Sequence, residues 1–302
     1  MEPANLTPKA KKVGKYTYRL DKKPLGGGSY GTVYQGYEHD NPKNLVAIKL
    51  IDREDYQENK KLILREVKVM EDIKGKYILQ FIGAVESASG NLYIITEYCD
   101  GGNLSNLIEK EGGKLSIEKA LKIVYEVALA FQEIKSLGLK DSEGNKRTIM
   151  HRDIKPANIL IQDGRAVLGD YGFAKFIMEA NEESQAKHTR LGTPNYSAIQ
   201  VLKGDKYSSK CDIWSLGVVL YETIFGKLPW TVSTYGKNGA LYELVKQIET
   251  QPIVFDETTS EDVKNLINGM LEKKEAERLD WDGVLTHSAF KNIAKEYAAK
   301  DD

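Results

Sequence analysis

Hydrophobic positions along the chain change their period near residue 100. Before that point, Tyr16 to Leu20, Thr32 to Tyr37, Leu45 to Ile51 and Leu92 to Glu97 are short runs rich in β-branched and aromatic residues, and each predicts a strand. The last two runs are apolar apart from Lys49 inside the first and Glu97 closing the second. The first two flank Gly26-Gly27-Gly28-Ser29-Tyr30-Gly31, which predicts a hairpin with a glycine-rich tip. Between the third and fourth runs, Gln57 to Ile73 has the helical period, with an apolar stripe through Leu62, Val69, Met70 and Ile73. Glu66 falls on that stripe. A carboxylate four residues after Leu62 and four before Met70 faces the protein, where it needs a cation, unless helix drift leaves it at the edge of the stripe.

Beyond Cys99-Asp100-Gly101-Gly102 the pattern turns helical. Ile117 to Leu137 predicts a long amphipathic helix, and Ile159 to Leu168 reads as a β-hairpin. Asp212 to Phe225 is apolar nearly all round, opens with an aspartate suited to an N-cap and closes with Gly226 and then Pro229, so it predicts a central buried helix. Gly138 to Arg147 is polar and turn-prone, an exposed loop inserted before His151. This order predicts an α+β fold with a small β-rich lobe followed by a larger helical lobe. The expected divisions are a basic N-terminal arm over 1–15, the small lobe over 16–99, the large lobe over 100–290 and a C-terminal tail over 291–302.

Composition narrows the class. The 302 residues are 41% hydrophobic and 29% charged, ordinary for a globular protein and enough for two lobes around one cleft. Lys plus Arg number 43 against 44 Asp plus Glu, a net charge of -1, so no global basic field exists to hold nucleic acid or an anionic membrane. The longest uncharged apolar stretch, Ile213 to Tyr221, is well short of the ~18 residues of a membrane-spanning helix. Cys99 and Cys211 fit neither a disulfide framework nor a metal-ligand spacing. With no apolar segment of signal-peptide type at the N-terminus, an intracellular, cytoplasmic, soluble protein is the expectation.

The candidate chemistry lies in five elements. Gly26, Gly28 and Gly31 form G-x-G-x-x-G, but Thr32-Val33-Tyr34-Gln35 continues as strand, unlike the helix that follows a dinucleotide-binding turn. Val46-Ala47-Ile48-Lys49 puts a lysine on the next strand, and Glu66 follows on the helix. Then come His151-Arg152-Asp153-Ile154-Lys155-Pro156-Ala157-Asn158 and Asp170-Tyr171-Gly172. In order and spacing these resemble the eukaryotic protein kinase family, from about Tyr16 to about Phe290.

The resemblance implies a bilobal kinase fold and phosphoryl transfer from ATP with Mg²⁺. Catalysis there is mainly positioning and charge stabilisation. Lys49 would hold the α- and β-phosphates and pair with Glu66. Asn158 and Asp170 would ligate Mg²⁺. Asp153 would accept the substrate proton, and Lys155 would contact the γ-phosphate. Val33, Ala47 and Leu160 match the residues enclosing adenine. Glu97 and Cys99 match the backbone positions that bond it, Thr96 the position limiting the back pocket, and Asn103 the ribose contact. Lys155 and Gly192-Thr193-Pro194 look like serine/threonine kinases, so the implied partner is a protein with a Ser/Thr acceptor. Only Glu222 matches the acidic set of arginine-directed kinases. Arg152 and Thr189 match a phosphorylated activation loop, served by an upstream kinase or by self-phosphorylation.

Three departures stand out. The family's A-P-E is Ala198-Ile199-Gln200, which turns an ion pair with Arg278 into a hydrogen bond. The expectation is a looser activation segment and a higher melting temperature for Gln200→Glu. Tyr171 replaces phenylalanine and needs a partner for its hydroxyl. Gly138 to Arg147 is an insertion, inert or a docking surface. The rival reading is a pseudokinase acting as a nucleotide-binding scaffold or allosteric module, and a dinucleotide-dependent oxidoreductase is more distant still.

Overall fold

The computed structural model describes residues 10–28, 31–172, 174–178, 193–231 and 239–301. Its N-terminal part is a seven-stranded sheet in the order β1-β2-β4-β5-β7-β6, with β3 paired to β4. The strands are β1 Ala10–Val13, β2 Tyr16–Arg19, β3 Gly26–Gly28, β4 Gly31–Glu38, β5 Leu45–Ile51, β6 Phe81–Glu86 and β7 Leu92–Glu97, with helix α1 Arg53–Asp72 between β5 and β6. The pairings are antiparallel, and Val33 lies opposite Lys49 and Ala47 opposite Thr96. Alternation along β5 then sorts its side chains. Val46 and Ile48 enter a buried cluster with Tyr18, Tyr93 and Ile95, while Ala47 and Lys49 line the cleft on the other face.

Two strands differ from expectation. Residues 10–13, expected within a basic arm, form the edge strand β1 on β2. Val13 is buried there while Lys11 and Lys12 stay exposed, so one apolar anchor suffices and the lysines remain in water. β6 is the opposite edge strand and has no uniform apolar run. Its Ile82 is exposed and its Gly83 breaks the pattern, with a register shift between Phe81 and Gly83; such an edge gives a weak signal.

Helix α1 begins earlier than predicted because the Asp52 side chain accepts the Asp55 N–H at 2.9 Å as an N-cap. Its buried stripe is Ile63, Glu66, Val67 and Met70, spaced i, i+3, i+4, i+7. Leu62 lies one residue off this stripe and is 48% exposed, which corrects its assignment to the core. A kink at Asn59 (φ -111°, ψ 15°) separates this stripe from the first turns.

The remainder is helical, with two small two-stranded sheets. It comprises α2 Leu104–Lys110, α3 Ile117–Ser136, β8 Arg147–Met150, β9 Ile159–Gln162, β10 Arg165–Leu168, β11 Lys175–Met178, α4 Ile199–Lys203, α5 Lys210–Phe225, α6 Ala240–Thr250, α7 Glu261–Met270, α8 Trp281–Leu285 and α9 Lys291–Asp301. β9 pairs with β10 and β8 with β11. α5 is the buried centre: Trp214 is 1% exposed and stacks on Trp230, ring centroids 5.6 Å apart. It ends at Gly226 in the left-handed region (φ 67°), where a side chain would be strained. It starts two residues before Asp212, which is therefore not its N-cap. Residues 291–301, expected as a tail, form α9, whose Ile293 is buried and whose Tyr297 ring meets Tyr125 at 5.5 Å. No helix among the described residues is long and apolar enough to cross a membrane.

Candidate active site

A cleft of about 590 Å³ opens between the sheet and the helical part, within the range of small-ligand sites. On its sheet side, Lys49 Nζ donates to Glu66 Oε1 at 2.8 Å, with the glutamate side chain 3% exposed. Burial lifts the Glu66 carboxyl above the usual carboxylate range, while Lys49 draws it back. The other oxygen, Oε2, is buried with no hydrogen-bond partner among the described residues. The inward glutamate has thus found its cation, as the stripe required.

On the helical side, His151 to Asp153 form a tightly held loop. Asp212 Oδ2 accepts the His151 N–H at 2.7 Å and Oδ1 accepts the Arg152 N–H at 2.8 Å. The carboxyl is fully buried, which raises its pKa, and the two N–H bonds and neighbouring charges oppose that rise. Arg152 needs such support, for its φ of 66° is left-handed, as is that of Asp170 at 58°, a conformation that costs on the order of 1 kcal/mol or more for a non-glycine residue. His151 Nε2–H donates to the Gly169 carbonyl at 3.0 Å, while Nδ1 accepts the Asp153 N–H at 3.3 Å. The imidazole therefore ties the Asp153 loop to Asp170. Asp212 was legible only as an apolar helix's first acidic residue, because its partners lie some sixty positions away.

Around Asp153 the side chains form a closed network. Lys155 Nζ donates to Asp153 Oδ2 at 2.8 Å and to Thr193 Oγ1 at 3.1 Å, and the Thr193 hydroxyl donates to Asp153 Oδ1 at 3.2 Å. Asn158 Nδ2 donates to the Asp153 carbonyl at 2.8 Å and to Oδ2 at 2.9 Å. Its amide oxygen is left for another partner. Thr193 enters the sequence reading only as a marker of acceptor type; the hydrogen bond to Asp153 adds it to the site.

Gly26, Val33, Ala47, Thr96, Glu97, Cys99, Asn103, Asn158, Leu160 and Asp170 all line the cleft with Lys49 and Glu66. Gly31 does not. It pairs with Gly28 across the hairpin, whose tip, Ser29 and Tyr30, is outside the described residues. A Cβ on Gly31 would come within 2.4 Å of the Leu50 carbonyl oxygen, so strand crowding alone requires glycine there. The Asn103 side chain accepts the Asn106 N–H at 2.9 Å as the N-cap of α2, and Glu97 Oε1 accepts the Gln80 N–H at 2.9 Å. The Cys99 N–H makes no hydrogen bond among the described residues. Burial pushes the Cys99 thiol up to about 12, so it is a packing residue, not a nucleophile.

The buried Tyr171 hydroxyl donates to the Leu168 carbonyl at 3.0 Å, and its ring lies 5.0 Å from His151. Gln200 Oε1 accepts from Arg278 NH2 at 3.0 Å, as expected, but Gln200 Nε2 also donates to the Lys273 carbonyl at 2.5 Å. The amide uses both its arms, one on Arg278 and one on the Lys273 carbonyl. Phe173, Thr189 and Gly192 lie outside the described residues. Glu222 is held by the Tyr196 hydroxyl at 2.7 Å.

No group of three or more His, Cys, Asp or Glu among the described residues could hold a metal ion. Asp170 and Asn158 offer two hard oxygen donors on the cleft wall, a set that fits Mg²⁺ if phosphate and water complete the shell. The unbonded hinge N–H at Cys99 and the apolar Val33, Ala47 and Leu160 fit a flat heterocyclic base.

Comparison with known proteins agrees with this geometry. A family model described as protein kinase domain matches residues 19–290. The chain is 33% identical over 284 residues to calcium-dependent protein kinase 5 of Plasmodium falciparum, covering 91% of this chain and 46% of that protein. It is 28% identical to serine/threonine-protein kinase ULK3 of Homo sapiens, covering 87% and 52%, and 29% identical to serine/threonine-protein kinase atg1 of Dictyostelium discoideum, covering 92% and 39%. The chain spans about half or less of the length of these curated relatives. By the family match and by its likeness to serine/threonine protein kinases, this chain belongs to the protein kinase domain family.

Proposed function

We propose that this chain is an ATP-dependent protein kinase that transfers the γ-phosphate to serine or threonine hydroxyls. The observation that carries the reading is the convergence on one cleft of the Lys49–Glu66 pair from the sheet with Asp170 and Asn158 from the helical part, beside the Asp153–Lys155–Thr193 network. Mg²⁺ bound with ATP would neutralise phosphate charge; Asp170 and Asn158 are its proposed ligands. Lys49, fixed by Glu66, holds the α- and β-phosphates. Val33, Ala47 and Leu160 enclose the adenine, with Thr96 at the back, the Glu97 and Cys99 backbones along its edge and Asn103 near the ribose. Gly26, Gly28 and Gly31 shape the hairpin over the phosphates. Asp153 accepts the proton from the acceptor hydroxyl, and Lys155 offsets charge on the transferring group.

Incubation with labelled ATP, Mg²⁺ and a generic Ser/Thr protein substrate tests this. Asp153→Asn should lower transfer by about 10²- to 10⁴-fold with the fold retained. Equal signal from both proteins would instead favour a pseudokinase.

The finer reading is that phosphorylated Thr189 binds Arg152 and orders the activation segment, through an upstream kinase or self-phosphorylation. Arg152 lies close enough to Arg65 to lower its pKa, after burial has done so, and two guanidinium groups so placed suit a phosphate. Thr189→Ala should reduce activity at least several-fold; full activity in a preparation otherwise phosphorylated only there would overturn the assignment. The proposed divisions are a small lobe over 16–99, extended at its edge by β1, and a large lobe over 100–290, extended by α9. A cytoplasmic setting, with protein and not nucleic-acid partners, goes with this reading.

A further inference from the structure

The segment that opens β8 joins two elements that the transfer reaction depends on. Arg147 NH2 donates to Asp72 Oδ2 at 3.1 Å, and its guanidinium carbon stands 4.0 Å from the centroid of the Phe176 ring. Asp72 is the last residue of α1, the helix that carries Glu66. Phe176 is on β11, shortly after Asp170-Tyr171-Gly172, and β11 pairs with β8 with Phe176 opposite Ile149 and Met178 opposite Arg147. β8 itself runs directly into His151 and Asp153.

The charges at this junction need a cation from outside α1. The last turn of α1 holds no basic residue, and the Asp72 carboxylate adds to the negative end of the helix dipole. Lys68 Nζ reaches Asp72 Oδ1 at 2.6 Å but is 62% exposed, where such a pair contributes little. Arg147 and Asp72 are 25% and 17% exposed, and Arg147 Nε is buried without a hydrogen-bond partner among the described residues. Among the described residues the guanidinium is held directly by the Asp72 carboxylate and the Phe176 face, with the Asp141 charge near enough to feel it. A planar cation suits that pair of contacts.

We infer that Arg147 is a positioning residue: through Asp72 and Phe176 it links the inward placement of α1, and so the Lys49–Glu66 pair, to the pairing of β11 on β8. The polar stretch that ends at Arg147 thereby gains a role as the support of this junction. The link to catalysis rests on the phosphoryl-transfer reading; the mechanical coupling does not.

Hydrogen exchange on the full chain separates the two. Arg147→Gln, Asp72→Asn and Phe176→Leu are each compared with wild type. The coupling predicts faster exchange in α1 around Glu66 and in β11 together, whichever of the three is changed, with α5 unaffected. It also predicts a fall of about tenfold in kcat, and only partial recovery of both readouts in Arg147→Lys, which keeps the charge on Asp72 but not the planar face on Phe176. If Asp72→Asn speeds α1 alone and Phe176→Leu speeds β11 alone, the junction is local packing and the inference fails. Should Arg147→Gln not fold, the other two variants decide by the same pattern. Coupled exchange across the three variants, with a wild-type chain that transfers no phosphate, would support the coupling and overturn the proposed activity.

Discussion

Glu66 shows how burial and pairing compete at one residue. Burial raises its carboxyl pKa and Lys49 only partly offsets this, so in the folded chain the group takes up its proton at a higher pH than a free carboxyl. A raised group contributes stability that is full below its unfolded value and lost as pH rises through its folded value. Activity runs the other way, because protonation removes the partner of Lys49. Glu66→Gln should lower kcat/KM by about 10²-fold and shift the acid limb of the pH profile downward. In denaturant titrations, the stability of wild type relative to Glu66→Gln should rise as pH falls from neutrality through the usual carboxylate range. A pH-independent difference would rule this out. The inward placement of Glu66 was legible from its i, i+4 relation to Met70. The exposure of Leu62 was not, since two adjacent phases of one helix each offered an apolar residue and only the packed sheet chose between them.

At the scale of elements, the join of α4 to the segment around Arg278 illustrates what a single motif leaves open. Arg278 is 2% exposed. It donates through Nε to the Glu272 carbonyl at 2.9 Å and through NH1 to the Lys210 carbonyl at 3.1 Å, besides Gln200. It also lies 5.0 Å from the Trp214 ring centroid. Gln200→Glu would strengthen one bond by adding charge, but it would bury a carboxylate and set it against the Lys273 carbonyl, which now receives an N–H. Losing that donor costs on the order of 1 to 3 kcal/mol. The expected outcome is a melting temperature about 2 °C lower, the reverse of the expectation from sequence, and calorimetry would check it. Strands β5 and β7 and helix α3 were legible nearly to the residue because their patterns are long and unbroken. Strand β1 and helix α9 were not: each is a mixed, charged segment fixed by a few contacts. In α9 these are Ile293, the Tyr297 ring and the hydrogen bond from the Tyr297 hydroxyl to buried Glu126.

For the whole molecule, the proposed ligand would bridge the sheet and the helical part, so its binding should appear as global stabilisation. At a hundredfold excess over Kd, Mg²⁺ with ATP should add about 2.7 kcal/mol, and much less without the metal or in Asp170→Ala. An equal shift with and without Mg²⁺ would count against the paired oxygen ligands. The sequence by itself determined the family, the order of the lobes and the candidates Lys49, Glu66, Asp153, Asn158 and Asp170, because glycines, strand periods and charged motifs are local properties that survive in a one-dimensional string. Tertiary structure alone decided that Asp212 holds the His151–Arg152 backbone, that Thr193 closes the Asp153 network, that Gln200 serves both Arg278 and Lys273, and that Arg147 joins α1 to β11. Each of these is a contact between distant positions, and the energy of a hydrogen bond or an ion pair depends on which groups the fold brings within about 3 Å, a quantity that no spacing along the chain contains.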